Sequence, residues 1–272
     1  DRSPSRGLGD VYKRQVENNL SRLAIEQSFR QLKLPTMWEA FQEQLKEPVY
    51  SQMTFEKRIG ILLSKELQAR TIKRQLRLLK LSGIRGKFSD ISKRDYSKER
   101  NLDAGLVQFL AECQWITEDN PASVIVTGAT GTGKTWLIEA LGKCACRQGL
   151  TVQYFRMLIL LELMDKARKD SKCLNFREKI NKKKLLIIDD FAMGVLDDSQ
   201  RSDLFSLIDE RKGDGATIIA SQKPLPDWYD FFGDPYHADA LLDRLKNHSY
   251  TIELKGDSLR EKYESKLEEK LS

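Results

Sequence analysis

Residues 128 to 135 read Gly-Ala-Thr-Gly-Thr-Gly-Lys-Thr, which is a complete G-x-x-x-x-G-K-[ST] phosphate-binding loop. Its glycines allow the backbone to curl so that several N–H groups point at one anion. Lys134 adds a mobile positive charge for the β- and γ-phosphates, and Thr135 offers a hydroxyl to Mg²⁺. We therefore predict ATP and Mg²⁺ as cofactors, with the phosphates held by the whole loop: Gly128, Ala129, Thr130, Gly131, Thr132, Gly133, Lys134 and Thr135.

The sequence on either side of the loop is also typical of this kind of site. Residues 123–127 form a short apolar strand, and residues 136–143 open a helix whose N-terminal dipole favours a bound phosphate. A chance glycine-rich turn is the alternative, but the match at every position and on both flanks argues against it. Trp115, shortly before the strand, either stacks near the adenine or packs in the core, and core packing is favoured.

Alternating strands and helices continue to the end of the chain. The predicted strands are residues 124–127, 151–155, 185–189, 217–221 and 250–254. Helical segments lie between them, so we predict an α/β fold with an open, five-stranded parallel sheet covered on both faces. Ligands of such sheets bind outside the carboxyl ends of the strands. The phosphate loop, Asp189 and Ser221 all lie at such ends.

The chain divides into four segments of different character. Residues 1–15 are polar and aperiodic, and we predict a non-native or disordered leader there. Residues 16–118 carry apolar positions at helical spacing, which predicts a small, basic, all-α domain for DNA or partner binding. Residues 119–256 are the predicted ATPase core, and residues 257–272 a short helical tail.

A second nucleotide-site motif is Lys-Leu-Leu-Ile-Ile-Asp-Asp at residues 184–190. Four apolar residues predict a buried strand, and two carboxylates emerge at its end. We predict that Asp189 holds Mg²⁺ together with Thr135, and that Asp190 orients or deprotonates the attacking water. An ordinary strand ending in a turn is the alternative. Many such ATPases have Glu in place of the second carboxylate, Asp190. A further alternative is therefore a binding module that is controlled by the nucleotide and hydrolyses little of it.

A polar residue follows the next predicted strand, in which residues 217–222 read Thr-Ile-Ile-Ala-Ser-Gln. At the end of a strand beside the two acids, such a residue can contact the γ-phosphate and the attacking water. Ser221 or Gln222 fits this role and both stay open. We count Ser221 as a candidate catalytic residue, together with Lys134, Asp190 and Arg244. An ordinary strand exit before Pro224 is the alternative.

Arg244 lies near the end of a predicted helix that precedes the last strand. From there an arginine can reach the γ-phosphate of a neighbouring subunit as an arginine finger, which predicts a homo-oligomer. The alternative is a solvated arginine stabilised by the helix dipole. Neither Asp239 nor Asp243 has the spacing of an intrahelical ion pair with it. Arg260 is a further candidate phosphate contact.

The net charge of +6 over 272 residues is unevenly distributed. Residues 65–100 contain twelve Lys or Arg and four Asp or Glu, so this segment alone has a net charge of +8. A basic segment beside a nucleotide-binding domain favours a polyanion such as nucleic acid as partner. A solvated helix face with counter-ions is the alternative.

Composition also excludes several classes of protein. The longest apolar run, residues 157–161, falls far short of the ~18 residues that a membrane span needs, so no membrane partner is expected. The four cysteines form no C-x-x-C pair and there are two histidines, which argues against a zinc site. Reduced thiols and a cytoplasmic location are the expectation.

Together these motifs resemble those of the IstB-like transposition helper ATPases of insertion sequences. This family belongs to the AAA+ superfamily and is similar to DnaC-type helicase loaders. The resemblance covers residues 18–262 and is most specific in four C-terminal blocks. They read Ser-Gln-Lys-Pro (221–224), Gly-Asp-Pro (233–235), Ala-Asp-Ala-Leu-Leu-Asp-Arg-Leu (238–245) and Glu-Leu-Lys-Gly-Asp-Ser-Leu-Arg (253–260). One departure is Ala-Met-Gly at residues 192–194, where the family often has Gly directly after Phe; we expect little effect on catalysis.

The resemblance implies an AAA+ fold with a reduced or absent C-terminal lid, which agrees with the short tail after Leu254. It also implies ATP-dependent binding to double-stranded DNA, self-assembly on that DNA, and its delivery to a transposase of the same element, or activation of that transposase. We expect the ATP hydrolysis to be stimulated by DNA. A replicative helicase loader is the alternative with the same chemistry. A small-molecule kinase fits less well, because of the two-acid motif and the basic helical segment.

Overall fold

The computed structural model describes residues 22–86, 89–91 and 100–259. The chain divides into two compact units, Asp1–Arg74 and Gln75–Ser272. The first unit is helical in its described part, and the second is built on a β-sheet. Within the described part of the chain, no helix combines the length and the apolar composition needed to cross a membrane.

The first unit consists of short helices joined by tight turns. Its elements are helix α1 (Arg22–Gln31), helix α2 (Pro35–Lys46), a 3₁₀ turn (Pro48–Gln52) and the first part of helix α3 (Phe55–Ser82). Helix α2 begins at a proline, whose fixed φ suits the first turn of a helix. The rings of Phe29, Trp38 and Phe41 lie 5.6–5.9 Å apart between centroids. This aromatic cluster holds α1 against α2.

The second unit contains a five-stranded parallel sheet in the order β2-β3-β4-β1-β5. Its strands are β1 (Ser123–Gly128), β2 (Val152–Arg156), β3 (Leu185–Phe191), β4 (Ala216–Ser221) and β5 (Ser249–Leu254). Each strand lies within two residues of its predicted bounds. The predicted fold class, a parallel α/β sheet with a helical segment before it, is therefore confirmed.

Apolar side chains cover both faces of the sheet, because successive strand residues point to opposite sides. Val124 and Val126 of β1 belong to one core and Ile125 to the other. The first core is closed by helices α4 (Ala104–Ala111) and α5 (Lys134–Arg147). The second is closed by helices α6 (Met157–Lys169), α7 (Cys173–Asn181), α8 (Asp198–Arg211), α9 (Trp228–Phe232) and α10 (Pro235–Lys246).

The segment just before β1 packs into the first core. Asp103 caps α4 by accepting the Gly105 N–H at 2.8 Å. Trp115 is fully buried, and its indole Nε1 donates to the Leu110 carbonyl at 2.9 Å. The structure therefore places Trp115 in the core, where no ring face remains for an adenine. The boundary after residue 118, between the helical domain and the ATPase core, stays a prediction.

Trp228 anchors the last helices to the sheet. Its ring centroid lies 4.6 Å from that of Phe191 in β3, and its Nε1 donates to the Lys223 carbonyl at 3.0 Å. Both rings are fully buried. Because Lys223 follows the end of β4, this packing also fixes the chain where it leaves that strand.

We expect Trp228→Ala to lower the free energy of unfolding by about 3–5 kcal/mol, because the substitution leaves a large cavity beside Phe191. Urea denaturation followed by circular dichroism measures the loss. Tyr236→Ala is the control, since this ring is 87% exposed and its removal should leave the midpoint unchanged. If Tyr236→Ala lowered the free energy of unfolding as much as Trp228→Ala, Trp228 would not be an anchor.

Candidate nucleotide-binding site

The phosphate-binding loop connects the end of β1 to the start of α5. Gly128, Gly131 and Gly133 have φ angles of 147°, 84° and 95°, in the region that favours glycine. Space is restricted as well. A Cβ on Gly128 would collide with the Leu254 carbonyl of β5, and one on Gly131 would lie 3.0 Å from the Ser258 Cα. The curl of the loop therefore depends on glycine for both conformation and space.

Lys134 places a positive charge inside this curl. It is the first residue of α5 and is buried, and its Nζ donates to the carbonyls of Gly128 at 2.7 Å and Ala129 at 2.9 Å. Thr135 follows in the first turn of α5 and is half-buried. The ammonium group and the positive end of the helix dipole thus reinforce each other, as an anion site requires.

The two acids of β3 are held differently. Asp189 is buried, and its carboxylate accepts the Tyr154 hydroxyl at 2.8 Å and the Asp190 N–H at 2.9 Å. Asp190 has a φ of 54° and lies where the pairing of β3 with β4 shifts register. The bulge leaves its side chain partly exposed. A left-handed conformation costs a non-glycine residue about 1–2 kcal/mol, and such strain clusters at functional sites.

Two residues of β2 contact these acids, although the sequence did not predict them. Tyr154 is the hydrogen-bond donor to Asp189, and Arg156 Nε lies 3.9 Å from Asp190 Oδ2. Burial raises the pKa of the Tyr154 hydroxyl, and the Asp189 charge raises it further, so Tyr154 remains a donor. The hydrogen bond with Tyr154 raises the pKa of Arg156. The strand order, with β2 beside β3, is needed to find these contacts.

The end of β4 separates the two residues that the sequence left open. Ser221 is fully buried; its hydroxyl donates to the Phe191 carbonyl at 2.9 Å and accepts the Lys223 N–H at 3.1 Å. Gln222 is exposed, and its Oε1 accepts the Thr130 hydroxyl at 2.7 Å. Of Ser221 and Gln222, it is therefore Gln222 whose side chain contacts the phosphate loop.

The segment after β5 lies directly on the phosphate loop. The Leu259 N–H donates to the Gly131 carbonyl at 2.9 Å. Arg100 is buried and supports this segment from behind, because its Nη1 donates to the Asp257 carbonyl at 2.6 Å. This long-range support leaves no signal in the local sequence. Arg260, the predicted further phosphate contact, lies outside the described residues.

Arg244 does not belong to this group of residues. It borders a cavity together with Ser123 and Thr217, near the amino-terminal ends of β1 and β4. Its guanidinium forms a close ion pair with Asp209 of α8. Spacing within one helix cannot reveal such an interhelical pair. The structure therefore keeps Arg244 away from the nucleotide site of its own chain.

The basic segment, residues 65–100, is only partly available as surface charge. Lys65 and Arg70 pair with Glu43 and Glu66, and Arg100 is buried. Arg70 stays exposed in its ion pair, and the other exposed cations in the described part of this segment are Lys73, Arg74, Arg77, Lys80 and Arg85. The remaining ones lie outside the described residues: Lys87, Lys93, Arg94 and Lys98.

The strand order, the phosphate loop after β1 and the paired acids after β3 define a nucleotide-binding protein of the P-loop class. Residues 27–267 match the family of IstB-like ATP binding proteins, and the chain belongs to this family.

Curated relatives carry similar descriptions. The chain is 34% identical to the insertion sequence ATP-binding protein y4pL of Sinorhizobium fredii, over 84% of this chain and 91% of that protein. It is 37% identical to the ATP-binding protein of insertion sequence IS1162 of Pseudomonas fluorescens, over 71% of this chain and 83% of the relative.

A solved structure supports the fold. AMPPCP-bound DnaA from Aquifex aeolicus aligns with a TM-score of 0.54 at 21% identity, covering 68% of this chain and 55% of the DnaA chain. The present chain thus corresponds to just over half of that DnaA chain. At this level of identity the likeness shows the fold alone.

We expect Gly131→Ala to weaken ATP binding at least about tenfold, because a Cβ there would push Ser258 off the loop and strain the backbone at φ 84°. Equilibrium titration with a fluorescent ATP analogue measures the affinity. Gly194→Ala is the matched control: its φ is 88°, but nothing lies within 4 Å of the added Cβ. If both substitutions weakened ATP binding equally, backbone strain and not the contact with Ser258 would be responsible.

Proposed function

We propose that this chain is an Mg²⁺-dependent ATPase that assembles with further copies on double-stranded DNA and delivers that DNA to the transposase of the same insertion sequence, or activates the transposase. The observation that carries the proposal is the meeting of the phosphate loop, Asp189, Asp190 and Gln222 at one edge of the sheet. Membership of an ATP-binding family with insertion-sequence relatives supports the same conclusion.

The residues beside the loop fit a bound Mg²⁺ ion. The Thr135 hydroxyl and the Asp189 carboxylate are hard oxygen donors, which Mg²⁺ prefers. When bound, the ion would neutralise charge on the β- and γ-phosphates. Tyr154 holds the Asp189 carboxylate in one orientation, as groups behind metal ligands commonly do. Lys134 exchanges its carbonyl partners for the β- and γ-phosphate oxygens.

Asp190 is the candidate general base. Its carboxylate is partly exposed at the edge of the sheet, and Arg156 Nε lies 3.9 Å from its Oδ2. It accepts a proton from water while the water oxygen attacks the γ-phosphorus. The bond from the γ-phosphorus to the bridging oxygen breaks, and ADP and inorganic phosphate are released.

Gln222 is the better candidate than Ser221 for sensing the γ-phosphate. Its amide already contacts Thr130 of the loop, so a phosphate that entered the loop would compete for the same side chains. The Ser221 hydroxyl is occupied by backbone groups of β3 and of the chain after β4. We assign Ser221 the supporting role of holding β3 and β4 together where they carry the site.

The proposed DNA contact uses the exposed cations of α3 and of the turn that follows it. Lys73, Arg77, Lys80 and Arg85 are exposed in the described part of the basic segment, and each can neutralise one backbone phosphate. Such binding reads the phosphate backbone and not the bases, so it falls steeply as salt rises. The insertion-sequence relatives favour a transposase over a replicative helicase as the protein partner.

Two substitutions should separate ATP binding from hydrolysis. We expect Lys134→Ala to lose ATP binding, and with it any DNA binding that depends on ATP. Asp190→Asn should still bind ATP and DNA but hydrolyse ATP at least about 10²-fold more slowly, because the general base is removed. ATPase assays with and without DNA, together with DNA anisotropy titrations at several salt concentrations, give both readouts.

Asp230→Asn is the control for these variants, since Asp230 is an exposed aspartate on α9 and should leave both readouts unchanged. Wild-type turnover by Asp190→Asn would remove Asp190 from the catalytic role. A DNA affinity that was the same with and without ATP, and the same at every salt concentration, would contradict the proposed function.

A further inference from the structure

Helix α5 begins at the phosphate loop, and a second segment of the chain runs along it. We call this segment, residues 75–86, the strap; it comprises the last two turns of α3 and the turn that follows them. Gln75 Nε2 donates at 2.6 Å to the carbonyl of Arg147, the last residue of α5. Ile84 packs on Gly142, where an added Cβ would lie 2.6 Å from the Ile84 Cδ1. The strap therefore follows α5 from its last residue back toward the phosphate loop.

Apolar side chains fasten the strap to the first core. Leu78, Leu79 and Ile84 are partly buried against that core. Ser82 is fully buried, and its hydroxyl donates to the Leu79 carbonyl at 2.8 Å and accepts the Ile84 N–H at 3.2 Å. These contacts fix the turn at the end of α3 and, with it, the backbone that carries Arg85.

Two charged side chains of α5 hold the end of the strap. Glu139 is buried, and its carboxylate accepts the Gly86 N–H at 3.1 Å. Lys143, one turn further along α5, donates through its Nζ to the Gly86 carbonyl and, at 3.1 Å, to the Ser89 carbonyl. A Cβ on Gly86 would overlap the Glu139 carboxylate, so glycine leaves the room for this contact. Because charge-assisted hydrogen bonds are stronger than neutral ones, the end of the strap is tied to α5.

The strap also contacts the neighbours of both proposed Mg²⁺ ligands. Glu139 lies one turn after Thr135 on the same face of α5, about 6 Å along the helix axis at about 1.5 Å per residue. Gly83 has a φ of 81°, and a Cβ on it would lie 3.1 Å from the Tyr154 carbonyl oxygen. The Tyr154 hydroxyl in turn donates to Asp189. A contiguous set of contacts thus joins the nucleotide site to the strap.

The exposed side of the strap carries charge for a DNA backbone. Arg77, Lys80 and Arg85 are exposed, and residues 75–86 contain no Asp or Glu. A strap that is held on α5 presents these cations in one arrangement. Ordering them before DNA arrives lowers the entropic cost of binding.

We propose that the strap couples the nucleotide site to DNA binding. ATP and Mg²⁺ in the phosphate loop fix α5 and Tyr154, and the cations of the strap then bind DNA more tightly. Glu139 and Lys143 are positioning residues, because they act through the backbone of the strap. The inference rests on the proposed function, since it names the segment through which ATP controls DNA binding. By thermodynamic linkage, DNA raises the affinity for ATP by the same factor.

Substitutions at both ends of these contacts test the coupling. The measured quantity is the coupling factor, which is the Kd for a DNA duplex without nucleotide divided by its Kd with a non-hydrolysable ATP analogue. We expect at least about fivefold for the wild-type chain and less than about twofold for Glu139→Ala and Lys143→Met. Gly86→Ala should act like Glu139→Ala, because its Cβ displaces the same carboxylate. DNA affinity without nucleotide and ATP affinity without DNA should stay unchanged.

Conservative and distant variants separate coupling from support of the fold. Glu139→Gln should keep the wild-type factor, because its amide oxygen still accepts the Gly86 N–H. Glu162→Ala and Lys246→Met are the matched controls, since these exposed residues lie on α6 and α10. Combining Glu139→Ala with Gly86→Ala should lower the factor no further than either change alone, because both break one contact.

Two results would overturn the inference while leaving the proposed function intact. One is a wild-type coupling factor in Glu139→Ala, Lys143→Met and Gly86→Ala. The other is a loss of DNA affinity in these variants that is equal with and without the ATP analogue and that Glu139→Gln shares, which would make the residues supports of the fold alone. If the wild-type chain bound DNA equally with and without the analogue, ATP control of DNA binding would be refuted in the proposed function itself, and the inference with it.

Discussion

The parallel pairing of β1, β3 and β4 is the constraint on which the site depends. Pairing of Thr127 with Ser221 puts the phosphate loop beside the polar end of β4, and pairing of Ile188 with Ile219 brings the two acids to the same edge. The cores on both faces fix this register, because a shift of one residue would exchange their buried side chains. The bulge at Asp190 then turns one acid out of the sheet.

Local sequence predicted the parts of the site that are contiguous in the chain. The phosphate loop, the acids of β3 and the five strands follow from glycine spacing and short apolar runs. The contacts of Tyr154 with Asp189, of Arg100 with Asp257 and of Asp209 with Arg244 join segments 35 to 157 residues apart. No local pattern of apolar or charged residues predicts such long-range pairs. The choice between Ser221 and Gln222 likewise needed the burial of each side chain.

The two edges of the sheet differ in chemistry. The carboxyl edge collects the groups that bind a triphosphate, whereas the amino edge carries a polar cavity bordered by Arg211, Lys212 and Arg244. The length of β1 separates the two edges by roughly 16 Å at about 3.3 Å per residue. Arg244 therefore lies beyond the reach of the phosphate loop of its own chain.

Assembly that depends on the nucleotide is the central claim, and sedimentation velocity tests it most directly. The wild-type chain would be compared without nucleotide, with ADP and with a non-hydrolysable ATP analogue, each with and without a short DNA duplex. We expect discrete species of several chains with the analogue, enlarged and stabilised by DNA, and mostly smaller species with ADP or without nucleotide. The same sedimentation coefficient with analogue, with ADP and without nucleotide would contradict the claim.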